Sequence, residues 1–262
     1  IVTKHPESKG GVINYYNHFF KVFNSDEYDL KWFIIGSRPE DYYNRSDRKF
    51  WYAFELLKDV FLFIFLLIKN RNIAIVQVSP SFIPVPLVRD SMYLIIAKIF
   101  GKKTITFFRG WSREFEKRII SKPGYFKYVL NLYKKSDAVL VLANKFKHVL
   151  VDLGFNAAKI NVTRTMFIQK DIPKERFSVS QSLKFLYIGR LSLQKGIIDI
   201  IDAVKLANDN GINVNVDMYG HYANEEIKII TNTKIKDYSL ENQIKINGFI
   251  SGVDKYHKLA EA

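Results

Sequence analysis

The sequence predicts two α/β domains, each built on a mostly parallel β-sheet flanked by helices. Short apolar runs typical of strands alternate with longer helical patterns along nearly all of the 262 residues. The alternation is interrupted by a polar, proline-containing segment at about 169–182, and then it starts again. We therefore predict a first domain at 1–172 and a second at 173–262, both doubly wound.

The first predicted domain contains six strands. In chain order they are residues 1–5, 30–36, 73–79, 102–108, 138–143 and 159–163. The helices between them are predicted at 12–23, 50–69, 89–100 and 123–135, with one more after its N-cap Asn144. The run 60–68 is apolar on all sides and too short for a bilayer, which takes about 20 residues. We expect this run to be buried between layers; contact with a membrane surface is the alternative.

The second predicted domain is smaller. Its strands are predicted at 183–189, 212–220 and 243–248, and its helices at 197–207, 224–236 and 253–260. Three parallel strands leave an open edge, so we expect this domain to be truncated at its C-terminus. Because the chain begins at Ile1, already inside a strand, we expect the N-terminus to be trimmed as well.

The charge of the chain is concentrated in its first part. The net charge is +14, and residues 1–172 hold 28 basic and 15 acidic residues, a net of +13. This asymmetry favours an anionic partner, which could be nucleic acid, a membrane surface or an acidic substrate. The absence of cysteine excludes a disulfide framework, a thiolate metal site and a cysteine nucleophile.

The candidate site residues follow the predicted strands, because ligands of open parallel sheets bind beyond the carboxyl ends of the strands. Several of them are glycines, which allow the backbone to approach a ligand closely. Since they occur in both domains, we expect the site in the cleft between them. These residues are His5 with Gly10 and Gly11, residues 36–38, residues 79–81, Arg109-Gly110-Trp111, Gly189-Arg190 and Gly220-His221.

The stretch GRLSLQKG at 189–196 is the sharpest of these signals. Arg190 and Lys195 flank a loop at a predicted helix start, where free N–H groups and the helix dipole favour a diphosphate. An ordinary βα loop with two solvated cations is the alternative. No dinucleotide-binding, Walker, GxSxG or HExxH motif occurs, and no Asp-x-Asp pair is present to hold a metal-bound nucleotide sugar. A clamp of two cations could stabilise a departing diphosphate in place of a metal.

Four segments of the second domain resemble the retaining GT-B glycosyltransferases often called family 4: FLYIGRLSLQKGIIDIIDAV, VNVDMYG, IKINGFI and YHKLAEA. KGGVINYYNHFFKVF and SDAVLVLANKFKHVLVDLGF resemble their first domain more loosely. The resemblance implies a hexosyl-type transferase without metal or cofactor. It would move a sugar, with retention, from a UDP-sugar or GDP-sugar to a saccharide acceptor of the lipid-linked kind, in surface polysaccharide or glycolipid synthesis.

The resemblance also assigns roles to residues. Arg190 and Lys195 match the pair that grips and neutralises the diphosphate. The predicted donor-binding residues are Gly10, Gly11, Gly189, Gly220, His221 and Gly248, and the acceptor-side candidates are His5, Arg109 and Trp111. The family commonly has a histidine where Arg109 stands. Arginine cannot act as a base, but it can hold a phosphate or carboxylate; a structural salt bridge is equally open. The family's Glu-x7-Glu pair is expected after Ala262, so this chain alone should bind donor weakly.

The basic first domain suggests where the protein works. Residues 98–135 hold 11 basic and 2 acidic residues interleaved with aromatics, and we expect them to contact the anionic inner face of the cell membrane from the cytoplasm. Two alternatives stay open. One is a basic α/β protein that binds nucleic acid, although no such motif appears and we expect no nucleic-acid partner. The other is a GT-B sugar-diphosphate epimerase or phosphorylase.

Overall fold

The computed structural model describes residues 1–8, 10–36, 49–165 and 183–261. Contacts within the chain divide it into two compact units, Ile1–Phe167 and Ile168–Ala262. The predicted boundary at residues 172 and 173 and the predicted linker lie outside the described residues. Each unit contains a parallel sheet with flanking helices, so the predicted fold class is confirmed.

Unit 1 (Ile1–Phe167) has a six-stranded parallel sheet. Its strands are β1 (Val2–Thr3), β2 (Phe33–Ile34), β3 (Ile75–Val78), β5 (Lys103–Phe107), β7 (Ala138–Val141) and β8 (Ile160–Val162), in the order β2-β1-β3-β5-β7-β8. The short strands β4 (Ser81–Phe82) and β6 (Gly110–Trp111) form a separate parallel pair. Because β1 lies between β2 and β3, the order of the strands reverses there, and the gap between β1 and β3 is the switch point where such folds bind ligands.

The helices of unit 1 are α1 (Gly11–Val22), α2 (Lys49–Lys69), α3 (Pro84–Ile99), α4 (Arg113–Ser121), α5 (Phe126–Lys134) and α6 (Asn144–Asp152). Side chains such as Val78, Leu94 and Tyr133 form the core between helices and sheet. The sequence did not predict α4. It also started α3 five residues late, since Pro84 in the first turn is compatible with a helix. The predicted N-cap Asn144 is instead the first helical residue, and Ala143 is the N-cap.

Unit 2 (Ile168–Ala262) has a three-stranded parallel sheet in the order β11-β10-β9. Its strands are β9 (Leu183–Ile188), β10 (Val214–Tyr219) and β11 (Ile244–Ile246), and its helices are α7 (Ile197–Asp209), α8 (Glu225–Asp237) and α9 (Gly252–Glu261). Apolar side chains of α7, α8 and β10 form one core. Lys258 of α9 interacts electrostatically with Tyr219 and Asp217, which alternate with the core residues of β10. Helices therefore cover both faces of the sheet, as predicted for a doubly wound fold.

Helix α2 corrects the expectation that residues 60–68 are buried between layers. Only one side of the helix packs inward, where Phe63 and Leu67 are buried together with Asp59. On the opposite side, Phe61 is 69% exposed and Phe65 is 60% exposed. None of the described helices is long and apolar enough to cross a membrane.

Candidate functional site

In unit 2, the loops that follow the three strands meet at one edge of the sheet. The backbone N–H of Gly189 bonds to the carbonyl of Tyr219 at 2.9 Å, which continues the pairing of β9 with β10 past their ends. The N–H of Gly220 bonds to the carbonyl of Gly248 at 2.5 Å. The predicted residues Gly189, Gly220 and Gly248 are distant in sequence, and the structure brings them together.

The contact between Gly189 and Gly220 requires glycine at position 220. A Cβ atom added to Gly220 would lie 1.7 Å from the carbonyl oxygen of Gly189, far inside any allowed contact. The adjacent loop residues also pair, because the N–H of Leu191 bonds to the carbonyl of His221 at 2.9 Å. The two loops are thus held side by side by direct backbone contact. At this edge Gly248 is the glycine with open space, since none of the described atoms beyond its chain neighbours lies within 4 Å of an added Cβ.

Arg190 and Lys195 lie on this glycine-lined edge. Arg190 directly follows Gly189, and Lys195 ends a short 3-10 turn, Leu193–Lys195, before Gly196 and helix α7. Both side chains are exposed, and neither forms an ion pair with a carboxylate of the described residues. Two free cations therefore flank the loop that leads into a helix N-terminus, where anions are favoured.

The other predicted residues of unit 2, His221 and Gly248, lie at the same edge of the sheet. The exposed ring of His221 stacks on Phe249, with ring centroids 5.3 Å apart and an interplanar angle of 2°. Gly248, next to Phe249, has a φ of 72°, a conformation that favours glycine. The hydroxyl of Tyr187 donates to the carbonyl of Arg190 at 2.7 Å and so fixes the start of the loop. Sequence reasoning had not assigned a role to Tyr187 or Phe249.

In unit 1, the predicted glycine pair begins α1, next to the switch point. Gly10 is the N-cap with a φ of 137°, and Gly11 is the first helical residue. Apart from their chain neighbours and the backbone of α1 itself, no atom of the described residues lies within 4 Å of a Cβ added at either position. The start of α1 is therefore open on the side of both glycines.

Arg109, which follows β5, lies against the start of α1. Its Nη2 donates to the carbonyl of Gly11 at 3.3 Å, and its guanidinium carbon lies 3.9 Å from the ring centroid of Tyr15 and 4.7 Å from that of Phe107. Its Nε and Nη1 atoms are buried and have no hydrogen-bond partner among the residues that the structure describes. Burial lowers the pKa of the Arg109 guanidinium, while Tyr16 and Tyr15 oppose that shift.

The structural salt bridge that was left open for Arg109 is not found within the described part of the chain, where no carboxylate pairs with it. The cation is instead held by aromatic faces and one carbonyl. Two unsatisfied donors on a fixed cation can accept a phosphate or carboxylate oxygen once it reaches them. The geometry of Arg109 is therefore more compatible with a ligand than with a purely structural pair.

A polar cluster that the sequence did not reveal connects α1 to β3. The Tyr16 hydroxyl accepts a hydrogen bond from Gln77 at 2.7 Å and shares another with the hydroxyl of Ser79. Burial raises the pKa of Tyr16 to about 12, so its hydroxyl stays protonated at neutral pH. This cluster fixes α1 across the switch point. No local sequence signal marks it, because its partners are more than sixty residues apart.

The other two acceptor-side candidates have neighbours of their own. His5 Nδ1 accepts from the backbone N–H of Glu7 at 3.2 Å, which leaves Nε2 as the ring nitrogen that can donate. Trp111 is sandwiched between Phe82 and Phe146, with ring centroids at 4.2 Å and 4.3 Å. Both faces of Trp111 are occupied, so this ring offers no face on which a sugar could stack.

Two further findings bear on the location of the site. A mainly apolar cavity of about 390 Å³ lies mostly beside the beginnings of the strands, where Ile1 and Ile75 line it. It therefore lies at the end of the unit 1 sheet opposite to Arg109 and the other residues that follow its strands. In the described ranges, no group of three His, Asp or Glu side chains could hold a metal ion.

No protein-family model matches the chain. A curated relative, the amylovoran biosynthesis glycosyltransferase AmsK of Erwinia amylovora, is 29% identical over 153 residues. Those residues are 58% of this chain and 36% of the relative, so the match spans about a third of that protein.

Solved structures resemble the chain over most of its length. Sucrose-phosphate synthase from Thermosynechococcus elongatus matches with a TM-score of 0.65 and 11% identity, covering 100% of this chain and 73% of that one. HepE of Anabaena, in complex with UDP, matches with a TM-score of 0.59 and 14% identity, covering 95% and 68%. At these identities the likeness establishes architecture alone. The chain has the fold of the GT-B glycosyltransferases.

Proposed function

We propose that the protein is a glycosyltransferase that moves a hexosyl group from a nucleoside-diphosphate sugar to a saccharide acceptor, with retention, in polysaccharide or glycolipid synthesis. The fold supports this proposal, and so does the name of the relative AmsK, which states a role in amylovoran biosynthesis. HepE, which has the same architecture, was solved with UDP.

One observation carries the proposal. Three glycines from separate strands meet at one edge of unit 2, and Arg190 and Lys195 flank that edge without a carboxylate partner in the described structure. The open backbone at Gly248 lets a ligand approach closely, and free cations beside a helix N-terminus suit a diphosphate. An ordinary βα loop needs neither feature.

The chemistry follows from the charges. When the bond between the sugar C1 and the phosphate oxygen breaks, the diphosphate leaves with an additional negative charge. Arg190 can bind two phosphate oxygens at once, and Lys195 adds a second positive charge. The acceptor hydroxyl oxygen then bonds to C1, and its proton goes to the departing phosphate. In this proposal the two cations stabilise the leaving group, as a metal ion does in other enzymes.

Unit 1 would then hold the acceptor. Arg109 carries two buried donors without a partner, so it suits an acceptor with a phosphate or carboxylate group. A lipid-linked saccharide diphosphate is one acceptor of this chemistry. Gly10 and Gly11, which the resemblance assigns to the donor phosphates, begin α1 beside Arg109, where the helix N-terminus favours an anion.

The reaction is tested with the full-length protein and a panel of UDP-sugars and GDP-sugars. Release of UDP or GDP, measured with and without saccharide acceptors, identifies the donor. The coupling constant of the anomeric proton in the product, read by NMR, decides between retention and inversion. If no nucleotide is released with any donor and acceptor, the proposed activity is wrong.

The donor clamp is tested separately by calorimetric titration with UDP and GDP. Arg190→Ala and Lys195→Ala should each weaken nucleotide binding by about 1.5–3 kcal/mol, the contribution of a charged hydrogen bond. Lys205→Ala is the matched control, because Lys205 lies on α7 and pairs with Asp209 away from the loop. Unchanged affinity in both loop variants would contradict the clamp even if the protein transfers sugar.

A further inference from the structure

The outward side of α2 is apolar, the reverse of an ordinary surface helix, whose outward side is polar. From Phe54 to the end of α2, six large apolar side chains are exposed between 44% and 69%. They are Phe54, Leu57, Phe61, Leu62, Phe65 and Ile68. Their spacing of three or four residues places them along one side of the helix.

Helix α3 extends the same surface. It contacts α2, and its exposed large side chains are Val85, Val88, Ile95 and Ile99, the last of which is 75% exposed. Together the ten side chains expose on the order of 600 Å² or more, beyond what a soluble monomer usually shows in one patch. We call these ten residues the α2–α3 face.

The exposed charges within and beside this face are positive. The other exposed positions of α2 after Phe54 are Lys58 and Lys69, and no exposed position of α2 or α3 in the described structure is acidic. Next to α3, helix α5 exposes Lys127 and Tyr128. Of the three acidic residues of these two helices, Asp59 and Asp90 are buried and Glu55 is half-buried.

We propose that the α2–α3 face docks on a lipid bilayer that contains anionic lipids, with α2 lying in the plane of the interface. Phenylalanine, leucine and isoleucine side chains would enter the acyl boundary, while Lys58 and Lys69 extend toward the headgroups. A second copy of the chain fits less well, because two such faces would bring lysines of like charge together. This inference does not depend on the proposed sugar transfer.

The same observations revise the predicted membrane segment at 98–135. Five of its nine aromatic residues are buried in the core: Phe107, Phe108, Phe115, Phe126 and Tyr133. Phe100 is half-buried and Trp111 is enclosed by two rings, which leaves only Tyr125 and Tyr128 exposed. Apart from Ile99, which belongs to the α2–α3 face, this segment therefore contributes charge beside the docking surface, and the face provides the apolar contact.

Co-sedimentation of the full-length protein with vesicles tests the proposal. We expect binding to phosphatidylcholine vesicles that contain phosphatidylglycerol, and much weaker binding to phosphatidylcholine alone. The double variant Phe61→Glu/Phe65→Glu should reduce the partition coefficient at least about tenfold, because it places two charges in the apolar boundary. The control is Ile229→Glu, since Ile229 is similarly exposed (61%) but lies on α8.

A second measurement reports the docked side directly. The chain has no cysteine, so Phe61→Cys and Ile229→Cys can each carry one environment-sensitive fluorophore. Only the label at 61 should shift to the blue with anionic vesicles. Equal binding of the charged variant and its control, or no binding to anionic vesicles, would overturn the proposal. A dimer in light scattering that Phe61→Glu/Phe65→Glu dissociates, without vesicle binding, would assign the face to a second copy instead.

Discussion

Two arginines that each follow a parallel strand are held in opposite ways. Arg190, after β9, is exposed on a glycine-lined edge. Arg109, after β5, lies half-buried on the rings of Tyr15 and Phe107. Neither has a carboxylate partner within the described residues.

This difference in burial shows two ways in which a protein can hold a cation that is to bind an anion. Arg190 remains hydrated and loses side-chain freedom only when a ligand orders it. Arg109 is already oriented, but two of its donors are buried without partners, which costs free energy in the absence of a ligand. We therefore expect substitutions of Arg190 to weaken nucleotide binding without changing the stability of the fold. Substitutions of Arg109 should lower activity, while stability stays the same or rises.

The largest effect should come from the backbone that carries Arg190. Gly220→Ala places a Cβ 1.7 Å from the Gly189 carbonyl, so the two loops must separate. We expect the free energy of unfolding of unit 2 to fall by about 2–3 kcal/mol, with loss of nucleotide binding. Urea denaturation followed by circular dichroism measures the first effect and calorimetry the second.

The matched control is Gly11→Ala at the start of α1 beside Arg109. Outside the backbone of α1, none of the described atoms lies within 4 Å of the new methyl group, and alanine is a better helix former than glycine. Stability should stay the same or rise by about 0.4–1 kcal/mol. Equal losses of unfolding free energy in the Gly11 and Gly220 variants would show that the contact between the two loops is not the cause of the destabilisation.

The next effect compares the two arginines directly. Arg190→Met should leave the melting temperature unchanged and weaken UDP binding about 10- to 100-fold. Arg109→Met should keep or raise the melting temperature, because relieving two buried donors is worth about 1–3 kcal/mol against about 0.5–2 kcal/mol of cation–π attraction. Its transfer rate should nevertheless fall. Scanning calorimetry measures the melting temperature of each variant, and nucleotide-release assays measure its transfer rate. A strong destabilisation by Arg109→Met would contradict the expected gain from removing two buried donors.

The smallest effect concerns Asp137, which supports the strand that presents Arg109. Burial acts to raise the pKa of Asp137, but the hydrogen bonds from Lys98 at 2.6 Å and from Thr104 of β5 outweigh it and hold that pKa well below its ordinary value. A depressed folded-state pKa contributes stability above about pH 4, the unfolded value, and this contribution is lost as the pH falls further.

Asp137→Asn should therefore lower the free energy of unfolding at pH 7, by about 1 kcal/mol because the carboxylate is partly exposed. The difference from the wild type should shrink as the pH falls below about 4. Asp209→Asn, on an exposed helical pair, is the control and should change little. A deficit that persists at low pH would show that the charge of Asp137 is not the cause.

Local patterns predicted the parts of the fold that depend on neighbours in sequence. Apolar runs ending at Gly189, Gly220 and Gly248 identified strand ends, and the structure brings these ends together. Helix α4 was missed because it is only nine residues long and mostly polar, with Phe115 and Ile119 as its only buried residues. The Tyr16 cluster depends on distant partners, and no local pattern contains that information.

The burial of α2 was predicted wrongly for a related reason. A helix that is apolar all round has no polar side to indicate which face is uncovered. Only the placement of Phe63 and Leu67 against the core shows that Phe61 and Phe65 point outward. The sequence thus located the helix correctly, while its most informative property, the exposed side, required the tertiary structure.

The stack around Trp111 has a spectroscopic consequence. All three tryptophans of the chain, Trp32, Trp51 and Trp111, lie in unit 1, whereas unit 2 contains tyrosine but no tryptophan. Tryptophan emission therefore follows the loosening of unit 1 alone, with Trp111 as a reporter enclosed by Phe82 and Phe146. Far-ultraviolet circular dichroism sees both units. The difference between the denaturation midpoints of the two signals would measure how independently unit 1 and unit 2 unfold.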